Sequence, residues 1–171
     1  MDATQIALVK DTFALVEPIQ EQAAVLFYRR LFDLDPNIAR LFATTDMDRQ
    51  RKVLMQTLAV VVRGLDRLDQ VVPGVQALGR RHRTYGVEAS DYPIVASALL
   101  WTLDKGLGGA FTPAARQAWS AAIGLLAATM IEAADAIEER DRVGAAEAAP
   151  EVEDGFGLAK RRDARTASAA A

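Results

Sequence analysis

The sequence predicts an all-α fold, on three observations. Ala, Leu, Arg, Gln and Glu, all good helix formers, dominate the 171 residues. Apolar residues recur at spacings of three and four, while the alternation of a half-buried strand is scarce. Capping and breaking residues cut the chain at intervals of helix length.

The elements follow in order. Thr4 is placed to cap a first helix reaching about Val16, ahead of Pro18. A second helix runs from about Ile19 to Leu34 and stops at Asp35-Pro36, and a short piece covers Pro36 to Phe42. ATTDMD is a loop with capping residues, and a long helix then spans about Met47 to Leu68. Pro73 starts the next helix, which carries His82 near its end, before Gly86. Ser90 or Asp91 caps a helix through Leu107, with Pro93 tolerated in its first turn, and Gly108-Gly109 ends it. Thr112-Pro113 is a cap followed by proline at the first helical position, and this last helix reaches about Arg140. Residues 141–171 are rich in Ala, Gly and charge, with Phe156 as their only aromatic. They are read as a flexible tail that cannot bury enough apolar surface to offset its ordering entropy. Its KRR run, Lys160 to Arg162, is either a solvated stretch or an electrostatic handle.

Composition removes whole classes of function. Hydrophobic residues make up 51% of the chain, enough for a sizeable core. With no cysteine, disulfides, thiolate catalysis and cysteine-based zinc or iron–sulfur sites are excluded. A net charge of −3 and a pI near 5.2 argue against a dedicated nucleic-acid binder. The N-terminus, with Asp2 and no long apolar run, does not read as a signal peptide. No stretch reads as the run of about 18 apolar residues that a membrane span needs, so a cytoplasmic location without membrane partners is expected.

The chain holds one histidine, in LGRRHRTYGV. Helical spacing puts Val75, Leu78, Gly79 and His82 on one face and turns Arg80, Arg81 and Arg83 elsewhere. The imidazole thus tops an apolar stripe. On these residues alone, a core histidine satisfied by one hydrogen bond accounts for the pattern. One protein ligand is too few for zinc or copper. It suffices for haem iron, whose equatorial ligands come from the porphyrin. Upstream, Gln50, Leu54, Thr57, Leu58 and Val61 share another stripe, headed by an amide. An ordinary amphipathic helix gives the same pattern.

Five strings carry a family resemblance: FYRRLFDLDPNIARLF (Phe27–Phe42), RQRKVLMQTLAVVVRGLDRL (Arg49–Leu68), LGRRHRTYGV, YPIVASALL (Tyr92–Leu100) and GGAFTPAARQAW (Gly108–Trp119). In this order and spacing the chain resembles the globins, in particular bacterial single-domain globins, the globin half of flavohaemoglobins, and neuroglobin. The resemblance covers about residues 4 to 138. It implies a globin fold over 1–140, with helices A, B, C, E, F, G and H around haem and a loop in place of D.

The resemblance also implies roles. His82 matches the proximal ligand of haem b (iron protoporphyrin IX), its other N–H going to the Leu78 carbonyl. Phe42 matches the aromatic wedged against the haem face. Tyr28 and Gln50 match the distal positions, and Leu54 the apolar residue one turn on. Val87, Tyr92, Val95 and Leu99 match the proximal wall, and Arg81 or Lys52 the partners of the propionates. A phenol and an amide are neutral donors that stabilise the partial negative charge of a dioxygen ligand more than that of carbon monoxide. The implied function is oxygen binding or carriage, together with nitric oxide detoxification supported by a separate reductase. A haem-based gas sensor acting through a partner or the tail is the alternative.

Two departures from the family pattern matter. Neuroglobin carries a distal histidine, which this chain lacks. Flavohaemoglobins pair the proximal histidine with a tyrosine and a glutamate. Tyr92 keeps the tyrosine, but the glutamate position falls on Ala134, with Glu132 and Asp135 expected on other faces. A weakened push on the proximal imidazole follows. No flavin or nicotinamide domain is expected after Arg140.

Overall fold

The computed structural model describes residues 1–148, 152–153 and 159–160. The chain divides into two compact units, Met1–Ala136 and Ile137–Ala171. The first is built from α1 (Ala3–Val16), α2 (Gln20–Leu34), α3 (Met47–Arg63), α4 (Leu68–Thr84), α5 (Tyr92–Leu107) and the greater part of α6 (Pro113–Ala148). Short 3₁₀ turns cover Glu17–Ile19, Ile38–Phe42, Ala89–Asp91 and Gly108–Ala110. Between Phe42 and Met47 the chain only turns, as the sequence led one to expect.

Several boundaries follow local chemistry. Asp46 caps α3, its Oδ1 accepting from the amides of Asp48 and Arg49 at 3.0 and 3.1 Å. The Thr112 hydroxyl accepts from the amide of Ala115 at 3.1 Å and caps α6 behind Pro113. Gly86 takes φ +85°, a left-handed conformation open to glycine, and turns the chain out of α4.

Other boundaries differ from expectation. The cap of α1 is Asp2, not Thr4: Asp2 Oδ1 accepts from the Gln5 amide at 2.8 Å, and the Gln5 side chain accepts from the Asp2 amide. That reciprocal box satisfies two orphan donors, which a threonine further in cannot do. α3 stops at Arg63, short of Leu68, because Gly64 takes the C-cap. α4 begins at Leu68 and contains Pro73 rather than starting there. In its first turn Val71 packs over Gly64, 2.2 Å from where a β-carbon would stand. Neither Ser90 nor Asp91 caps α5 with its side chain. Asp91 Oδ2 instead accepts from the Glu88 amide at 2.9 Å, closing the preceding 3₁₀ turn.

α6 passes Arg140 and continues to Ala148 through the helix-favouring AAEA that follows Gly144. The second unit also holds an antiparallel ladder of β1 (Val152–Glu153) and β2 (Ala159–Lys160), with Val152 opposite Lys160. The rest of the expected flexible tail, with Arg161 and Arg162 of the basic run, lies outside the described residues.

The main core gathers Val9, Phe13 and Val16 of α1, Met55 and Val62 of α3, Leu103 of α5, and Ala115, Ala118, Trp119 and Ala122 of α6. Trp119 Nε1 donates to the Thr12 hydroxyl at 2.8 Å, and that hydroxyl donates to the Leu8 carbonyl at 2.6 Å. Leaving the buried indole N–H without this acceptor would cost about 1–3 kcal/mol. α6 brings one further correction. Its stretch Pro113–Ile137, with mean hydropathy 1.5, is long and apolar enough by length and composition to cross a membrane. Alanines, with Ile, Leu and Met between them, raise its mean without an unbroken run of large apolar residues, which is why the sequence did not read that way.

Candidate functional site

α3, α4, α5 and α6 enclose an apolar cavity of about 190 Å³. α3 lends Leu54, Thr57, Leu58, Val61 and Val62, residues of one helical face. α4 lends Val75, Leu78 and His82. Val87 follows the turn at Gly86, and Tyr92, Val95, Ala96 and Leu99 come from α5. Trp119, Ala122, Ile123, Leu126, Ala127 and Met130 of α6 complete the wall, with Phe27 of α2.

His82 is the wall's one imidazole. Its Nδ1 lies 3.0 Å from the Leu78 carbonyl oxygen. A carbonyl can only accept, so Nδ1 carries the proton and Nε2 keeps its lone pair. The Leu78–His82 bond spans one helical turn, so α4 itself supplies the partner that fixes the tautomer. Burial lowers the imidazole pKa from its ordinary 6.5. The Leu78 carbonyl opposes this shift, and the Arg81 cation adds to it.

The sign of the resulting pH dependence is definite. As pH falls, the unfolded chain binds its proton first, so the native state loses stability through this group below about pH 6.5 and loses the last of it at the lower folded pKa. Above about pH 6.5 both states are neutral and this source of pH dependence vanishes. Thermal melting of the ligand-free protein from about pH 8 to pH 5 should therefore show His82→Gln parallel to the parent at the alkaline end and less acid-sensitive at the other. Parallel curves throughout would contradict a depressed imidazole.

A second cluster adjoins the cavity. Phe27, Tyr28, Leu31, Ile38 and Ala98 are buried together, with Phe32, Phe42, Leu54, Val95 and Leu99 packed against them. The Tyr28 ring stands 5.0 Å from Phe27, 5.9 Å from Phe32 and 5.5 Å from Phe42, centroid to centroid. Two of these contacts are edge-on, the favoured aromatic geometry. Gln50 Nε2 donates to the Tyr28 hydroxyl at 3.1 Å. Burial raises the phenol's pKa from 10.0, while the Gln50 bond and the Arg51 charge pull the other way. The hydroxyl therefore keeps its proton at neutral pH.

Of the residues singled out in the sequence, His82, Leu54, Leu78, Val87, Tyr92, Val95 and Leu99 stand on the cavity wall. Tyr28, Gln50 and Phe42 are brought together beside it rather than on it, with Phe27, Leu54, Val95 and Leu99 common to both places. Arg81 and Lys52 are exposed and make no ion pair with another described residue. Ala134 is buried, while Glu132 and Asp135 are exposed. Burial, then the charges of Asp91 and Asp135, raise the pKa of the Tyr92 phenol. The sequence reading missed the wall from α6. Its signal was the helical spacing of Trp119, Ile123, Leu126 and Met130.

The donor set has a definite chemistry. Among the described residues no three His, Asp or Glu side chains cluster to hold a bare ion. One lone-pair nitrogen on an apolar wall suits a metal that brings its own equatorial ligands inside a large flat apolar group. The residues fit haem.

The comparisons agree with this geometry. The globin family model matches residues 25–130. The flavohemoprotein of Bacillus subtilis (strain 168) is 31% identical over 133 residues, which are 77% of this chain and 33% of that protein. That of Bacillus cereus is 30% identical over 133 residues, again 77% and 33%. The chain thus spans about a third of the length of these relatives. A bacterial globin structure from Campylobacter jejuni superposes with TM-score 0.72 at 23% identity, covering 81% of this chain and 99% of that one. A hexacoordinated heme protein from an anhydrobiotic tardigrade gives TM-score 0.72 at 16% identity, covering 79% and 96%. The fold and the pocket define a helical haem-protein class. The chain belongs to the globin family. α1, α2, the turn Ile38–Phe42, α3, α4, α5 and α6 are its A, B, C, E, F, G and H elements, and haem is the cofactor that membership brings.

Proposed function

We propose that the chain holds haem b through His82 Nε2 and binds dioxygen reversibly, with Tyr28 as the donor that stabilises it. When bound, haem would supply an iron that His82 holds and that takes up a diatomic gas. The hydrogen bond from Gln50 to Tyr28 carries the reading. Because the phenol oxygen accepts from the Gln50 amide, the tyrosine's own proton is left to donate elsewhere. Three aromatic neighbours restrain the ring. Gln50 orients the phenol, and Tyr28 donates to the partly negative ligand. Arg81 and Lys52, which pair with no acid among the described residues, are available to the propionates.

Nitric oxide is the second substrate in this reading. With haem bound, oxidation of nitric oxide to nitrate would consume one electron per turnover, which a reductase outside the globin domain would supply. The flavohemoprotein relatives support that assignment. Ala134 leaves Tyr92 without the carboxylate of the flavohaemoglobin pattern, which favours a carrier or auxiliary dioxygenase over peroxide chemistry.

Coordination tests the proposal. With one histidine in the chain, the ferrous ligand-free protein is expected to be five-coordinate and high-spin, and to take up both dioxygen and carbon monoxide. Optical spectra under argon and after each gas decide this. A six-coordinate low-spin ferrous spectrum at neutral pH would overturn it.

A further inference from the structure

We propose that Gly79 is a positioning residue that sets how deep His82 stands in the cavity. The proposal rests on the haem reading of that cavity. The buried residues of α4 are Val75 and Gly79, so the helix meets the rest of the molecule along a narrow strip. A β-carbon on Gly79 would lie 2.3 Å from the carbonyl oxygen of Met130, 2.6 Å from its Cα and 2.8 Å from its carbonyl carbon. All three are backbone atoms of α6, so none can turn aside as a side-chain tip would. At this point the backbone of α4 lies directly on that of α6.

His82 follows Gly79 by one turn on the same helical face. Its ring is tied back to α4 through the Leu78 carbonyl at 3.0 Å, so it moves with the helix. The depth of α4 against α6 therefore sets the position of Nε2. Bringing the 2.3 Å approach to ordinary contact near 3.4 Å requires α4 to retreat by about 1 Å. Gly74, in the same helix, has nothing within 4 Å of its would-be β-carbon and serves as the control.

The experiment compares Gly79→Ala with Gly74→Ala after haem loading of the parent protein, which tests the pocket reading separately. Two quantities are read: haem transfer to an excess of apoprotein scavenger, and the iron–imidazole stretching band of the ferrous ligand-free form. Gly79→Ala is expected to lose haem at least roughly tenfold faster with a shifted band, since a displacement near 1 Å at a reacting centre is costly. Gly74→Ala should match the parent in both. In a His82→Gly background, with free imidazole as the axial ligand, Gly79→Ala should change neither, because the tether is gone. Folded Gly79→Ala with parental haem loss and an unshifted band would overturn the proposal. So would an equal effect in the His82→Gly background, which would make the glycine act on the pocket at large. Loss of the helical circular dichroism of ligand-free Gly79→Ala would also overturn it, by making the glycine a folding determinant.

Discussion

Replacing His82 with alanine is expected to strip the protein of stable haem. The chain contains one imidazole, and it stands on the cavity wall with Nδ1 committed to Leu78. No second histidine can substitute. Changing groups that merely orient a metal ligand costs about 10- to 100-fold in affinity, so removing the ligand itself should cost roughly a hundredfold or more. The fold should survive, because His82 belongs to none of the three buried core clusters. Free imidazole, which fits the space left by the side chain, should restore the Soret band. Titration of the ligand-free variant with haemin, with and without imidazole, measures both effects. A variant that keeps parental affinity and an unchanged Soret band would remove His82 from the site.

Tyr28→Phe is expected to speed dioxygen release by roughly ten- to a hundredfold. The substitution keeps a ring held by Phe27, Phe32 and Phe42 and deletes the hydroxyl alone. A hydrogen bond to a partly charged acceptor is worth about 1.5–3 kcal/mol, and each 1.4 kcal/mol is a factor of ten. Gln50→Leu should do less. It leaves the phenol proton in place and removes the bond that orients it. Carbon monoxide release should move far less in both variants, since that ligand carries little negative charge. Stopped-flow displacement of dioxygen by carbon monoxide gives the rates. An unaltered dioxygen release rate in five-coordinate Tyr28→Phe would make the tyrosine a packing residue.

Legibility in the sequence followed the range of the force involved. Asp46 and Thr112 cap the helices that follow them through contacts within three residues, and both were readable. The start of α4 was not, because Pro73 is a strong local signal, while the helix begins five residues earlier where its first turn packs on the end of α3. Val71 against Gly64 is a packing fact between two helices. The same division holds in the site. The apolar stripe leading to His82 and the Leu78 partner one turn back are properties of a single helix, legible from spacing. That Gln50 would donate to Tyr28, rather than stand beside it as an independent donor, depends on how α2 and α3 pack.

The sequence by itself determined that this is an all-helical chain with one imidazole on an apolar face, and that no cysteine or second histidine can enter its chemistry. Helical periodicity and composition are local, so these conclusions needed no third dimension. The tertiary structure alone decided that Trp119 and Met130 wall the cavity, that Gln50 donates to Tyr28, and that α4 lies backbone to backbone on α6 at Gly79. Each of these joins residues far apart in the chain. Their meeting depends on the mutual fit of whole helices, which no window along the sequence contains.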